Sequence, residues 1–198
     1  LTPIDYFLHK FSGNVWLNPS AWLVSRELTE MAGPWDERLS LDDDGEYFCR
    51  VVSHSSSIVH VPSAKSFYRR GIQGSLSRSA SRSACQSLIL SLRLNTDRLL
   101  SMEDSERTRQ ACLNYLQTWV EEDYFRAQQR DLFEQVQGLA SEFGGSVRVP
   151  KSRGKYRAFR MLFGEAGEVR ARRFLRSLRL MARAERERLT MKIGSNSS

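Results

Sequence analysis

The sequence predicts an α/β domain followed by a helical extension, and two patterns carry that expectation. In the first third of the chain, short apolar runs are cut by turn residues, as strands in a sheet would be. From Cys85 onward the apolar residues recur every three or four positions, the period of a helix face. With 198 residues, 40% of them hydrophobic, the chain can bury the core of one domain and carry an appendage. The expected division is 1–100 for the α/β part, 101–147 for a helical hairpin and 148–198 for a basic tail.

Taken in order, Asn14 to Leu17 reads as a short strand and Asn18-Pro19-Ser20 as a turn. Ala21 to Ser25 is apolar enough for a buried strand. Arg26 to Ala32 then makes a short helix, with Ser25 as its N-cap and Gly33 as its stop. After a turn on Gly33 and Pro34, three carboxylates, Asp42, Asp43 and Asp44, open a second helix whose apolar residues are Tyr47, Phe48, Val51 and Val52. Asp42 is the natural N-cap, and acids in the first turn complement the unpaired N–H groups and the positive end of the helix dipole. Asp44 precedes Tyr47, Phe48 and Val51 by three, four and seven residues, so helical spacing aims it toward the interior. Desolvation there would raise its pKa and suit it to general-base work; simple capping is the competing reading. Glu46 and Arg50 form an i,i+4 pair that stabilises the helix. A calcium loop fails, because Ser40 and Val51 occupy the first and twelfth places, where oxygen ligands are required.

Ile58 to Val61 and Ser66-Phe67-Tyr68 read as two further strands. The Arg/Ser-rich stretch from Ser77 to Ser83 is a loop leading into a helix carrying Cys85, Leu88, Ile89 and Leu92. Cys112, Tyr115, Leu116, Trp119 and Val120 mark the next helical face. Leu132, Phe133, Val136, Leu139, Ala140 and Phe143 mark another, stopped by Gly144-Gly145.

Charge is uneven. Residues 148–192 hold 15 Lys and Arg against 4 Glu, a net of +11, so the whole chain's +7 leaves −4 elsewhere. Ala171, Phe174, Leu175, Leu178, Met181 and Ala182 form an apolar stripe within that tail. A basic amphipathic helix of this kind fits an anionic membrane surface; packing on the domain or on an acidic partner is the alternative. Nucleic acid is a weaker candidate, since no base-reading motif accompanies the charge. No apolar run is long enough to span a membrane, and the amino end lacks a basic-then-apolar signal pattern. Cys49, Cys85 and Cys112 are odd in number, far apart and set in helical apolar patterns, which points to reduced core thiols in a cytoplasmic protein. His9, His54 and His60 show no metal-site spacing, and no metal ligand is assigned.

Trp22-Leu23-Val24-Ser25-Arg26-Glu27-Leu28, then Ala32-Gly33-Pro34-Trp35-Asp36-Glu37, then Asp43-Asp44-Gly45-Glu46-Tyr47-Phe48-Cys49-Arg50 resemble the acceptor-side, C-terminal part of family 2 glycosyltransferases of the GT-A fold. The resemblance covers about residues 14 to 78. It implies hexosyl transfer from a nucleotide-diphospho-sugar to the hydroxyl of a saccharide or lipid-linked acceptor, with inversion. The second acid of the family's pair is the base, which falls on Asp44, with Asp43 its neighbour. Arg69 takes the place of the family's more common histidine near the donor diphosphate, and Ser75 and Ser77 could donate to the same oxygens. Trp16, Trp22 and Trp35 either line the acceptor cleft, stacking on sugar faces, or pack in the core.

The resemblance further implies a nucleotide-binding half before Leu1, ending in an Asp-x-Asp motif that holds Mg²⁺ or Mn²⁺ on the donor. Asp42-Asp43-Asp44 matches that motif in letters but follows the Trp22 to Gly33 segment instead of preceding it, so the metal ligands are expected outside this chain. A partial enzyme, peripheral on the inner face of the membrane, is the resulting expectation. The rival is a non-catalytic basic adaptor for a membrane or nucleic acid.

Overall fold

Backbone hydrogen bonds among the described residues close within helices, not across strands. The computed structural model describes residues 1–13, 15–67, 81–121, 130–148, 161–164, 167 and 174. These contain six α-helices: α1 (Pro3–Gly13), α2 (Arg26–Ala32), α3 (Asp43–His54), α4 (Arg82–Met102), α5 (Glu106–Glu121) and α6 (Arg130–Glu142). A 3₁₀ turn covers Pro19–Ala21, and residues 161–164 are also helical.

The expected α/β architecture, and with it the GT-A fold, is therefore overturned: no strand or sheet occurs among the described residues. The local backbone of the expected strand at 21–25 is extended where its angles are known, with Trp22 at φ −106°, ψ 135° and Ser25 at φ −67°, ψ 154°. Extension alone does not make a strand; a neighbour must supply the ladder of N–H and C=O partners. Among the described residues one rung forms, between Leu1 and Ile58, each of which donates its nitrogen hydrogen to the other's carbonyl at 2.9 Å. Leu23, Val59, Val61 and Phe67 accordingly stand exposed. Tyr68 lies outside the described residues, as does most of the tail stripe from Ala171 to Ala182.

The helix starts and stops follow local chemistry. Ser25 caps α2 by accepting from the Leu28 amide at 3.2 Å, and Gly33 ends it at φ 75°, a conformation glycine adopts without strain. Ser81 caps α4 by accepting from the Ala84 amide at 3.2 Å. Gly144, at φ 81°, follows the end of α6. Helix α1 has no counterpart in the sequence reading. It is held by one face, on which Tyr6, Phe7, Lys10 and Phe11 are all buried.

The main core runs from α1 through Leu41, Cys49 and Val52 into α4, α5 and α6, and closes with Val147. The three cysteines are buried within the bundle. A smaller core of Ala32, Tyr47, Phe48 and Val51 joins α2 to α3, and Trp22 packs against both cores.

Glu46 ties three segments together. Its carboxylate, only 2% exposed as a residue, accepts from Arg50 at 3.0 and 2.9 Å and from Arg98 of α4 at 3.3 Å. Arg50 also donates to the carbonyls of Ala32 and Pro34 at 2.6 and 2.7 Å, satisfying orphan acceptors where α2 ends. Glu46→Ala would strand two guanidinium groups that keep only partial access to water. Urea denaturation should show a loss of about 3 kcal/mol, the low end for removing one partner of a buried ion pair. A loss below about 1 kcal/mol would show the network to be of surface strength.

Candidate active site

The turn before α3 sorts the three aspartates. Asp42 adopts a left-handed conformation, φ 60° and ψ 27°, which aspartate tolerates better than most residues. Its side chain is not the helix cap that its position suggests. It points into the bundle, 6% exposed, where Oδ2 accepts from Ser91 Oγ at 2.6 Å and from the Tyr115 hydroxyl at 3.0 Å. Oδ1 has no hydrogen-bond partner and lies against Gly45. A Cβ at Gly45 would fall 2.0 Å from that oxygen, so glycine is required there by the closeness of the carboxylate.

Helix α4 supplies the matching surface. Ser87, Ser91 and Asn95, spaced four apart, form a buried polar seam within its apolar face. Ser87 Oγ accepts from the amides of Ser40 and Leu41 at 2.7 and 3.1 Å. Asn95 donates to Ser91 Oγ at 3.3 Å and to the Tyr115 hydroxyl at 3.2 Å. From α1, Phe11 stacks on the Tyr115 ring at 4.0 Å.

Burial pushes the Asp42 carboxyl up to about 6; Lys10 and the two hydroxyls oppose the rise, and Asp44 adds to it. Asp44 is half-buried, and burial, followed by repulsion from Asp43, raises its carboxyl above the usual aspartate range. Its Oδ1 accepts from the Gly45 amide at 2.8 Å. The innermost of the three aspartates is therefore Asp42, whereas helical spacing points to Asp44. The left-handed turn at Asp42 breaks the regular helical geometry on which that spacing depends. Asp43 is also half-buried at the helix opening.

The tryptophans divide. Trp22 takes the core alternative, stacked on Phe48 at 4.7 Å and edge-on to Tyr6 at 5.6 Å. Trp35 stacks on Tyr47 at 4.5 Å and stays 41% exposed. Trp16, 46% exposed, meets Trp119 edge-on at 4.6 Å, with the Lys10 ammonium 5.2 Å from its ring centroid. Trp35 and Trp22 are thus anchored one turn along α3 from Asp43 and Asp44, and Trp16 is anchored through α1 and α5. Arg69, Ser75 and Ser77 lie outside the described residues.

No family model, curated protein or solved structure matches the chain.

Among the described residues no three His, Cys, Asp or Glu side chains converge, and Asp42 is already committed to two hydroxyls. Lys10, Ser91, Asn95 and Tyr115 were missed as parts of the site. Tyr115 appeared only as one member of an apolar stripe. The i,i+4 repeat of Ser87, Ser91 and Asn95 was the available signal for a buried seam, and the spacing of Phe7, Lys10 and Phe11 the signal for α1.

A native Asp42 that titrates near 6 binds its proton more tightly than an unfolded aspartate at 3.8, so folding stability falls as pH rises from about 4 to about 6. The cost is on the order of 2–3 kcal/mol. Below about 4 the trend reverses, because the Asp36 and Glu103 carboxylates, held down to about 2 by Arg38 and Arg107, lose their pairing as they protonate. Asp42→Asn should flatten the pH 4–6 slope in thermal melts, leaving the contribution of Asp44, which has the same sign. An unchanged slope would contradict the assignment.

Proposed function

We propose that the chain carries the acceptor-activating part of a sugar transferase, with Asp44 as the general base. The observation that carries the reading is the state of Asp44. It is a half-buried carboxylate with raised proton affinity at a helix opening, it makes no ion pair among the described residues, and exposed Trp35 is anchored one turn away. A base tied into a salt bridge would be held charged and weakly basic; this one is left available. The reading draws on the residue-level resemblance and does not depend on a GT-A sheet.

In the reaction, an acceptor hydroxyl gives its proton to Asp44 as its oxygen attacks the anomeric carbon. The bond from that carbon to the diphosphate oxygen breaks, the nucleoside diphosphate leaves with the bonding electrons, and the configuration inverts. Trp35 and Trp16 offer ring faces for the acceptor sugar. Arg69, Ser75 and Ser77 are assigned to the departing diphosphate on the resemblance alone. The divalent ion expected with the donor would have ligands other than the three aspartates, and no step here runs through it.

The basic tail, residues 148–192, is assigned to an anionic membrane surface, which would hold a cytoplasmic protein near a lipid-linked acceptor. Among the described residues no helix is long and apolar enough to cross a membrane.

The test is release of nucleoside diphosphate from a panel of nucleotide-diphospho-hexoses, offered with saccharide and lipid-linked acceptors. Asp44→Asn should lower turnover by about 10²–10⁴-fold, the usual worth of a positioned base, while the thermal melt stays cooperative. A variant that turns over at the wild-type rate would overturn the role of Asp44. The assay is run on a protein that includes the donor-binding half, and such a protein releasing nothing from any donor would overturn the transferase reading.

A further inference from the structure

The Trp35 ring lies flat on Tyr47, with centroids 4.5 Å apart and planes 5° from parallel, and it meets Phe48 edge-on at 6.2 Å. The residue stays 41% exposed, so what it offers to solvent is the face turned away from Tyr47. Trp35 follows a turn through Gly33, φ 75°, and its own backbone makes no hydrogen bond among the described residues. The loop alone does not fix the ring, because a glycine leaves the chain many other paths.

Arg50 removes that freedom. Its Nη1 donates to the carbonyls of Ala32 and Pro34, on either side of Gly33, at 2.6 and 2.7 Å. Its Nε and Nη2 donate to Glu46 at 3.0 and 2.9 Å, which sets the plane of the guanidinium from α3. The guanidinium carbon lies 5.5 Å from the centroid of the Tyr47 ring. One side chain thus holds both the residue before Trp35 and the ring on which Trp35 stacks. A lysine could not do the same, since its ammonium has no planar fork to span a carboxylate and two carbonyls.

We infer that Arg50 is a positioning residue for acceptor recognition: by clamping the carbonyls of Ala32 and Pro34 it holds Trp35 on Tyr47, with the outer ring face set for the apolar C–H face of a pyranose. Tyr47 follows Asp44 by three residues on α3, about 4.5 Å along the axis, so a sugar on this platform is set beside the aspartate turn. Loosening the clamp frees the ring while α3 stays in place, because Glu46 keeps its bond to Arg98. The inference rests on the acceptor role proposed for Trp35, but it can be measured without turnover.

The experiment follows the Trp35 indole N–H in ¹⁵N spectra of the full chain, assigned by its loss in Trp35→Phe, as the methyl glycosides of glucose, galactose and mannose are added. In the wild-type chain its heteronuclear NOE should match that of core-packed Trp22, and the signal should shift as at least one glycoside binds. Arg50→Lys should lower the NOE of Trp35 but not that of Trp22, and weaken binding about 3- to 10-fold, the worth of one aromatic stack. Trp35→Ala should weaken it by a similar factor and the double variant no further, since both changes act through one ring. An Arg50→Lys chain with an ordered Trp35 and unchanged affinity, or a loss that adds to that of Trp35→Ala, overturns the inference and leaves Trp35 its role. If Arg50→Lys does not fold, the wild-type chain decides: a Trp35 indole as ordered as that of Trp22 sustains the inference, and a more mobile one overturns it. Binding that Trp35→Ala does not weaken, or a Trp35 signal that no glycoside shifts, overturns the acceptor role of Trp35 and the inference with it.

Discussion

The structure depends on one buried carboxylate held by a polar seam. Ser87 and Ser91 of α4, with Tyr115 of α5, take up the backbone and side chain of residues 40–42, and the chain can enter α3 from there only through a left-handed Asp42. Burying a carboxylate is unfavourable unless its oxygens are met, and here one of the two is left against Gly45 without a partner. That cost is tolerated because the same contacts fix where α3 begins. With Asp42 turned inward, Asp43 and Asp44 are left on the opening turn, half in water.

The rest of α3 is registered by a second polar fixture one turn along. Glu46 gathers Arg50 and Arg98, and Arg50 in turn closes the carbonyl end of α2. Between them the Asp42 and Glu46 fixtures bind α3 to α4, α5 and α2 through groups that demand specific geometry, whereas the apolar core would accept small shifts. Trp35 follows from this arrangement. It rides on Tyr47 because the loop after α2 is anchored by Arg50.

Much of the helical structure was legible. The cap at Ser25, the stop at Gly33, the start of α3, the Glu46–Arg50 pair and the stripes of α4, α5 and α6 all follow from local spacing, and local chemistry settles them. Two things were not legible. Residues 21–25 and 58–61 have strand-like composition, but whether such a segment joins a sheet depends on partners elsewhere, and the described residues offer 58–61 no more than the pairing of Ile58 with Leu1. The burial of Asp42 was hidden because it needs a left-handed residue and a seam 49 residues away in sequence. No periodicity argument couples those two. Helix α1 was overlooked although its spacing was present, and with it Lys10.

This turn makes three adjacent aspartates chemically different. Carboxyl footprinting of the native chain, with a carbodiimide and glycine ethyl ester read by tandem mass spectrometry, addresses it residue by residue. Asp43 and Asp44 should label in the folded protein while Asp42 stays protected, and all three should label alike in urea. Native labelling of Asp42 at the rate of its neighbours would mean that the turn is not locked into the bundle, and the sorting of the site would fail with it.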